Sequence, residues 1–157
     1  MKTIKTLVSI LLMSLHFGYS SSALSLEVGS SQRTSELLDN HLNAQGTFWY
    51  QWDQMVFFGL GGGIQQYGDD YYYPALSSTL IRLPIGRTLL PFATAQWGYL
   101  FGPKSQFTWT LGGGIDLKLG RNSSLLVTSG YQKFTQGNSR NDWQPQVYLR
   151  GGILLEF

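Results

Sequence analysis

The chain has 157 residues with no cysteine, and its formal charge of +2 equals the contribution of Lys2 and Lys5 at its start. Without cysteine there is no disulfide, thiolate metal site or lipoprotein attachment point, and without a basic excess beyond those two lysines there is no electrostatic footprint for nucleic acid. Charged residues make up 13% of the chain and aromatics 15%, with 19 glycines, which is little charge and much aromatic surface for a water-facing protein.

Lys2 and Lys5 open a basic start, Leu7 to Leu15 is apolar except for Ser9 and Ser14, and Ser21-Ser22-Ala23 supplies small residues for cleavage. Residues 1–23 therefore read as a removable export signal. They are too short in apolar residues for a membrane anchor, because His16 and the serines at 20–22 interrupt the run. Residues 24–157 then form one domain. They contain no apolar run of helical span length, so a closed β-barrel is the remaining way to cross a bilayer with every backbone group paired.

Alternation with a period of two predicts eight strands, an even number that leaves both ends on the same side of the membrane. The first is short, residues 25–31, with Leu26 and Val28 on one face and Glu27 on the other. Residues 32–44 lose the alternation. Leu37, Leu38 and either His41 or Leu42 follow a helix-like spacing behind a candidate cap at Ser35, which predicts an outer loop with a helical turn. Strand two is 47–52 and strand three 55–66, joined by a tight turn at Asp53-Gln54. A loop at 67–70 and the run Tyr71-Tyr72-Tyr73 precede strand four, 75–83, whose faces the pattern does not separate.

Breakers at 84–87 lead to strand five, 91–101, with Ala93, Ala95, Trp97, Tyr99 and Phe101 on one face. Strand six is the cleanest: Phe107, Trp109, Leu111, Gly113, Ile115, Leu117 and Leu119 alternate with Thr108, Thr110, Gly112, Gly114, Asp116 and Lys118. Strand seven is 124–134, and the polar segment 136–142 forms the last outer loop. In the final strand Val147, Leu149, Gly151, Ile153, Leu155 and Phe157 share one face. Gln146, Tyr148, Arg150, Gly152, Leu154 and Glu156 share the other.

The spacing Arg150, Gly152, Leu155, Phe157 is similar to the C-terminal assembly signal of bacterial outer-membrane β-barrels. From Gly59 onward the glycine-rich strands, turns and aromatic cadence resemble the small outer-membrane β-barrel superfamily that includes OmpX and the OmpA barrel. The resemblance implies an eight-stranded, antiparallel, up-and-down transmembrane barrel in the outer membrane of a Gram-negative bacterium. Its partners would be outer-membrane lipid, lipopolysaccharide and, during assembly, the barrel-insertion machinery.

An eight-stranded barrel has an interior just wide enough for side chains to fill it. Glu27, Asp116, Lys118, Arg150 and Glu156 fall on the polar faces and are expected to pair there, with Arg150 bridging to Glu27 across the closing seam, since an isolated buried charge is costly. Trp52, Tyr67, Tyr71, Tyr99, Phe101, Trp109, Tyr131 and Phe157 read as interfacial girdles. The triplets Gly61-Gly62-Gly63 and Gly112-Gly113-Gly114 lack the following helix that a phosphate cradle needs, so they read as room for neighbouring rings.

The one histidine after the export signal, His41, falls in the expected first loop with Glu36, Asp39, Ser30, Ser31 and Ser35 nearby. Lipid A deacylases and palmitoyl transferases on small barrels use such a residue, so a lipid A-modifying enzyme is the alternative to a non-enzymatic envelope or surface role. A narrow small-solute or ion channel is another, and a soluble periplasmic barrel with an apolar ligand inside is a third. No spacing of residues suggests a cofactor or metal.

Overall fold

The computed structural model describes residues 21–33, 36–67, 69–135 and 145–157. Eight strands follow in order: β1 (Ser22–Arg33), β2 (Glu36–Gln51), β3 (Val56–Tyr67), β4 (Asp70–Arg82), β5 (Leu89–Phe101), β6 (Gln106–Lys118), β7 (Ser123–Thr135) and β8 (Gln146–Glu156). Each pairs antiparallel with its successor and β8 returns to β1, so the sheet closes into an up-and-down barrel. Closure leaves no edge strand to be capped.

The period of two is legible along each strand. In β6, Thr108, Thr110 and Asp116 are buried while Phe107, Leu111, Ile115 and Leu117 are exposed. In β8, Gln146, Tyr148, Arg150 and Leu154 point inward while Val147, Leu149, Ile153 and Leu155 point outward. The seam between β1 and β8 runs without a break from Ala23↔Glu156 to Arg33↔Gln146, and Ser22 and Phe157 exchange two backbone hydrogen bonds of 3.0 and 2.9 Å beyond it.

Three boundaries differ from the sequence reading. The expected loop at 32–44 is strand: β1 continues to Arg33 and β2 begins at Glu36. The helical turn is overruled because His41, Asn43, Gln45 and Thr47 are all buried while Leu42 and Phe48 are exposed, which is sheet periodicity carried by polar residues on the inside. The candidate cap Ser35 lies outside the described residues, as do most of the export signal and the loop at 136–142. Strand four starts at Asp70 and takes in Tyr71-Tyr72-Tyr73. Lastly, β1 begins at Ser22, two residues inside the segment assigned to the export signal, with Ala23 buried against the lower core.

Candidate functional site

The interior has three levels, counted from the end where β1 begins and β8 ends. At the lowest, Ala23, Trp49, Phe57, Leu80, Phe92, Leu126 and Leu154 form an apolar layer. Gly59 on β3 makes room for it, since a Cβ there would stand 2.6 Å from the Trp49 ring. An ionic cluster lies against this layer. Arg82 Nη2 is 2.6 Å from Asp116 Oδ2, Arg82 Nη1 is 3.0 Å from Glu156 Oε1, and Lys118 Nζ donates to Glu156 Oε1 at 2.6 Å. The Arg82 guanidinium also sits 4.6 Å over the Phe57 ring, so its charge meets two carboxylates and an aromatic face.

At mid-height Arg150 is buried, and its partners are neutral. Its Nε donates to Asn43 Oδ1 at 3.0 Å and its Nη1 to Gln45 Oε1 at 2.6 Å, both on β2. The expected Arg150–Glu27 bridge is not made. Glu27 instead accepts a long 3.5 Å hydrogen bond from Ser25 Oγ. Gly29 lies between Arg150 and Asn43 in the strand register, and without a side chain there the arginine passes over β1 and reaches β2. The five charged residues named from the sequence are thus all inside the barrel, but in two groups: Asp116, Lys118 and Glu156 below, and Glu27 and Arg150 above.

Arg82, Asn43 and Gln45 were missed. Arg82 had a signal, being the lone charge between Ala75 and Leu83 in a strand that must hide one face. Asn43 lay in the segment 32–44 misread as a loop, and Gln45 between that segment and the expected strand two.

The upper level is an amide cluster under an aromatic cap. Gln65 Nε2 donates to Gln132 Oε1 at 2.9 Å and Gln146 Oε1 at 3.1 Å, while Gln132 Nε2 donates back to Gln65 Oε1 at 3.2 Å and to Thr108 Oγ1 at 3.1 Å. These bonds cross the lumen between β3, β6, β7 and β8. Above them pack Tyr67, Tyr72, Leu100 and Phe134.

His41, expected in a solvated loop, is a buried residue of β2 whose ring stacks on Tyr67 at 5.7 Å; the Arg33 guanidinium lies 4.8 Å from the Tyr67 ring. Ser31 is its cross-strand neighbour. Tyr67 itself is therefore interior, a correction to its place among the girdle aromatics.

The outer wall reverses this chemistry. Leu26, Val28, Leu42, Phe48, Leu60, Leu111, Val127, Leu149 and Ile153 are all exposed, with Trp52 and Phe157 toward the lower end and Tyr71, Tyr99 and Phe101 toward the upper. Water disfavours a continuous apolar wall of this kind, whereas a hydrocarbon layer suits it. Of the assembly-signal residues, Leu155 and Phe157 face outward and Arg150 inward. Gly152 abuts β1 so closely that a Cβ would meet Leu26 O at 2.3 Å. Both glycine triplets lie within strands, β3 and β6. A Cβ on Gly112 would stand 2.3 Å from the Tyr148 hydroxyl, so that glycine seats a ring from two strands away.

No protein-family model and no curated sequence matches the chain. Solved structures do match. Neisserial surface protein A superposes with a TM-score of 0.69 at 9% identity, over 88% of this chain and 97% of that one. The N-terminal β-barrel domain of Pseudomonas aeruginosa OprF gives 0.57 at 10% identity, over 88% and 100%. The outer membrane enzyme PagL gives 0.55 at 11% identity, over 85% and 98%. The chain has the fold of the small outer-membrane β-barrels. Because that fold also carries an enzyme, it does not decide between catalytic and non-catalytic roles.

Proposed function

We propose that this chain is an integral outer-membrane protein of a Gram-negative envelope, non-enzymatic, serving envelope integrity or surface contact through short outer connections. The observation that carries the reading is the inversion of the two faces. Ionic and amide clusters bond to each other inside, and the outward side chains form an apolar wall. A soluble ligand-binding barrel needs the opposite arrangement. A transmembrane strand needs about 9–11 residues, and β1 and β3 to β8 each have 11 to 13. Little chain is left to build long loops between β1 and β2, β3 and β4, or β5 and β6.

The location of His41 supports the non-catalytic reading, because a lipid substrate on the outer wall cannot reach a ring stacked inside on Tyr67. The lower ionic cluster and the upper amide cluster, one above the other, support a filled interior over a conducting one.

The test is fractionation of cells expressing the full chain or a version lacking Phe157, followed by gel mobility with and without boiling. The full chain is expected in the outer membrane with a heat-shifted band. The truncated form, having lost the outward aromatic ring and the two hydrogen bonds to Ser22, is expected to be degraded or to accumulate in the periplasm. Soluble periplasmic protein in both cases would overturn the reading.

Removal of an export signal is part of the same proposal, and the contacts of residues 21–23 favour an end before Ser22 over one after Ala23. Ser22 bonds to Phe157, Ser21 O accepts from Gln51 N at 3.1 Å, and Ala23 is buried. Mass spectrometry of the mature protein is expected to find an N-terminus upstream of Ser22. An N-terminus at Leu24 would mean that the mature barrel closes without those contacts.

A further inference from the structure

We propose that the mid-height of the lumen is a closed chamber holding a few ordered waters bound by Glu27, Ser78, Gln96 and Tyr148, a reading that rests on the non-conducting interior proposed above. Among the described residues, hydrogen bonds cross the lumen at two levels: from Gln65 to Gln132 and Gln146 above, and from Arg82 to Glu156 below. Between these levels the long side chains lean along the wall, over glycines of neighbouring strands. A Cβ on Gly152 would stand 2.7 Å from Glu27 Cγ, one on Gly130 2.6 Å from the Tyr148 hydroxyl, and one on Gly59 2.6 Å from the Trp49 ring. Arg150 likewise turns along the wall to β2. None of these side chains spans the axis.

The layers above and below fix the height of the polar groups. Gln96 on β5 lies midway between Phe92 of the lower apolar layer and Leu100 of the cap. Its partner across the β4–β5 ladder is Ser78, the next inward residue above Leu80 of the lower layer. The Tyr148 hydroxyl reaches over Gly112 on β6, whose β5 partner, Thr94, is the next inward residue below Gln96. On the opposite wall Glu27 stands between Ser25, which accepts from Trp49 Nε1 at 2.9 Å, and Gly29, which Arg150 crosses. Glu27, Ser78, Gln96 and Tyr148 are 6%, 1%, 4% and 1% exposed, so bulk solvent satisfies none of them.

Ser78 Oγ, Gln96 Oε1 and the Tyr148 hydroxyl have no hydrogen-bond partner among the described residues, and Glu27 has the single 3.5 Å bond from Ser25. Buried polar groups are bonded in the large majority of cases, to protein or to ordered water. The set is mixed: two hydroxyls that donate, with an amide oxygen and a carboxylate that accept. Water answers both, because it donates and accepts and makes about three bonds in such a site. An ion is a poor fit, since the charges of Glu27 and Arg150 cancel at this level. A larger solute has no entry through the amide cluster and aromatic cap above or the apolar layer below. Water enclosed as the barrel closes also accounts for the Arg150–Glu27 bridge that is not made. The carboxylate keeps its hydrogen bonds through water, so it avoids the cost of an unsolvated charge without a direct ion pair.

The probe is water itself, read by rotating-frame Overhauser cross-peaks between solvent and the Gln96 side-chain amide protons, with the full chain refolded into phosphatidylcholine nanodiscs. Wild type is expected to show cross-peaks with the sign of bound and not freely diffusing water. S78L projects a branched chain into the chamber and is expected to lose them, whereas S77L, on the outward face of the same strand, keeps them. Q96L removes the accepting end at nearly constant volume and is expected to lose the matching cross-peak at the Ser78 backbone amide. No bound-water cross-peak in wild type, or its survival in either folded variant, overturns the proposal. If one variant fails to give a heat-shifted band, the other decides. A wild type that gives that band but conducts ions across a planar bilayer overturns the closed chamber together with the non-conducting interior, and one without the band overturns the barrel reading itself.

Discussion

Arg82→Ala is expected to lower the stability of the vesicle-inserted barrel by about 3–5 kcal/mol, the range for removing one partner of a buried ion pair. Among the described residues Arg82 is the single cation in contact with Asp116, whose side chain is 1% exposed, and it also touches Glu156 and covers the Phe57 ring. Its loss leaves a buried carboxylate in the lower lumen against an apolar layer. Lys118→Ala removes an ion pair of similar length, but both side chains there are about a fifth exposed, so solvent screens the change and about 1 kcal/mol or less is expected.

The measurement is the urea midpoint followed by the loss of the heat-shifted band. Arg82→Met combined with Asp116→Asn should recover most of the loss, because the buried charge disappears with its partner. If Arg82→Ala shifted the midpoint no more than Lys118→Ala, the cluster would be solvated and the lower level would not be sealed.

The fold was legible where each face of a strand has one chemistry. In β6 and β8 the outward residues are apolar and the inward ones polar with few exceptions, and those strands fell where expected. β4 failed for a physical reason. Its inward residues Tyr72, Pro74, Leu76 and Leu80 are mostly apolar because they build the cap and the lower core layer, while its outward residues include Ser77 and Thr79. A barrel whose interior has apolar layers cannot be read by polarity alone. β2 failed differently. The leucines at 37, 38 and 42 fit helical spacing, and the sheet signal lay in buried His41, Asn43 and Gln45, residues that a soluble-protein reading assigns to loops.

Membership of the interior was more legible than pairing. A charge in the middle of an alternating strand is expected to face the lumen, which located Glu27, Asp116, Lys118, Arg150 and Glu156, whereas Lys133 near the upper end of β7 faces outward. Partners depend on how the strands stagger around the barrel and on which chains cross the lumen, and neither follows from position along the sequence. Arg82 and Glu156 are 74 residues apart, and Arg150 and Asn43 are 107 apart. The Arg150–Glu27 pairing assumed that the neighbouring strand supplies the partner. Arg150 instead passes over the bare backbone of Gly29 to amides one strand further on, which a neutral-partner reading of Asn43 and Gln45 would have allowed.

That crossing makes Gly29→Ala the substitution with the largest expected effect on closure. A Cβ at Gly29 would stand 2.0 Å from Leu149 O, 2.6 Å from Arg150 Cα and 2.9 Å from Arg150 Cγ. The first two are backbone atoms of the partner strand, so no rotamer change relieves them. β1 would have to move off β8 along the seam that closes the barrel. Overpacking in a well-filled site costs about 1–3 kcal/mol when the surroundings can yield, and here they cannot without breaking ladder bonds. The heat-shifted band is expected to be lost.

Gly46→Ala, on β2 and opposite Leu26, is the matched control. Its added methyl comes close to the flexible Leu26 Cδ2, at 3.3 Å, and reaches Ser25 O only at an ordinary 3.9 Å, and the barrel should fold as before. Adding Arg150→Ala to Gly29→Ala should not restore folding, because the carbonyl of Leu149 remains in place. Rescue by that second change would mean that Gly29 is required only as the seat for the arginine, and a folded Gly29→Ala barrel would mean that the seam between β1 and β8 can yield.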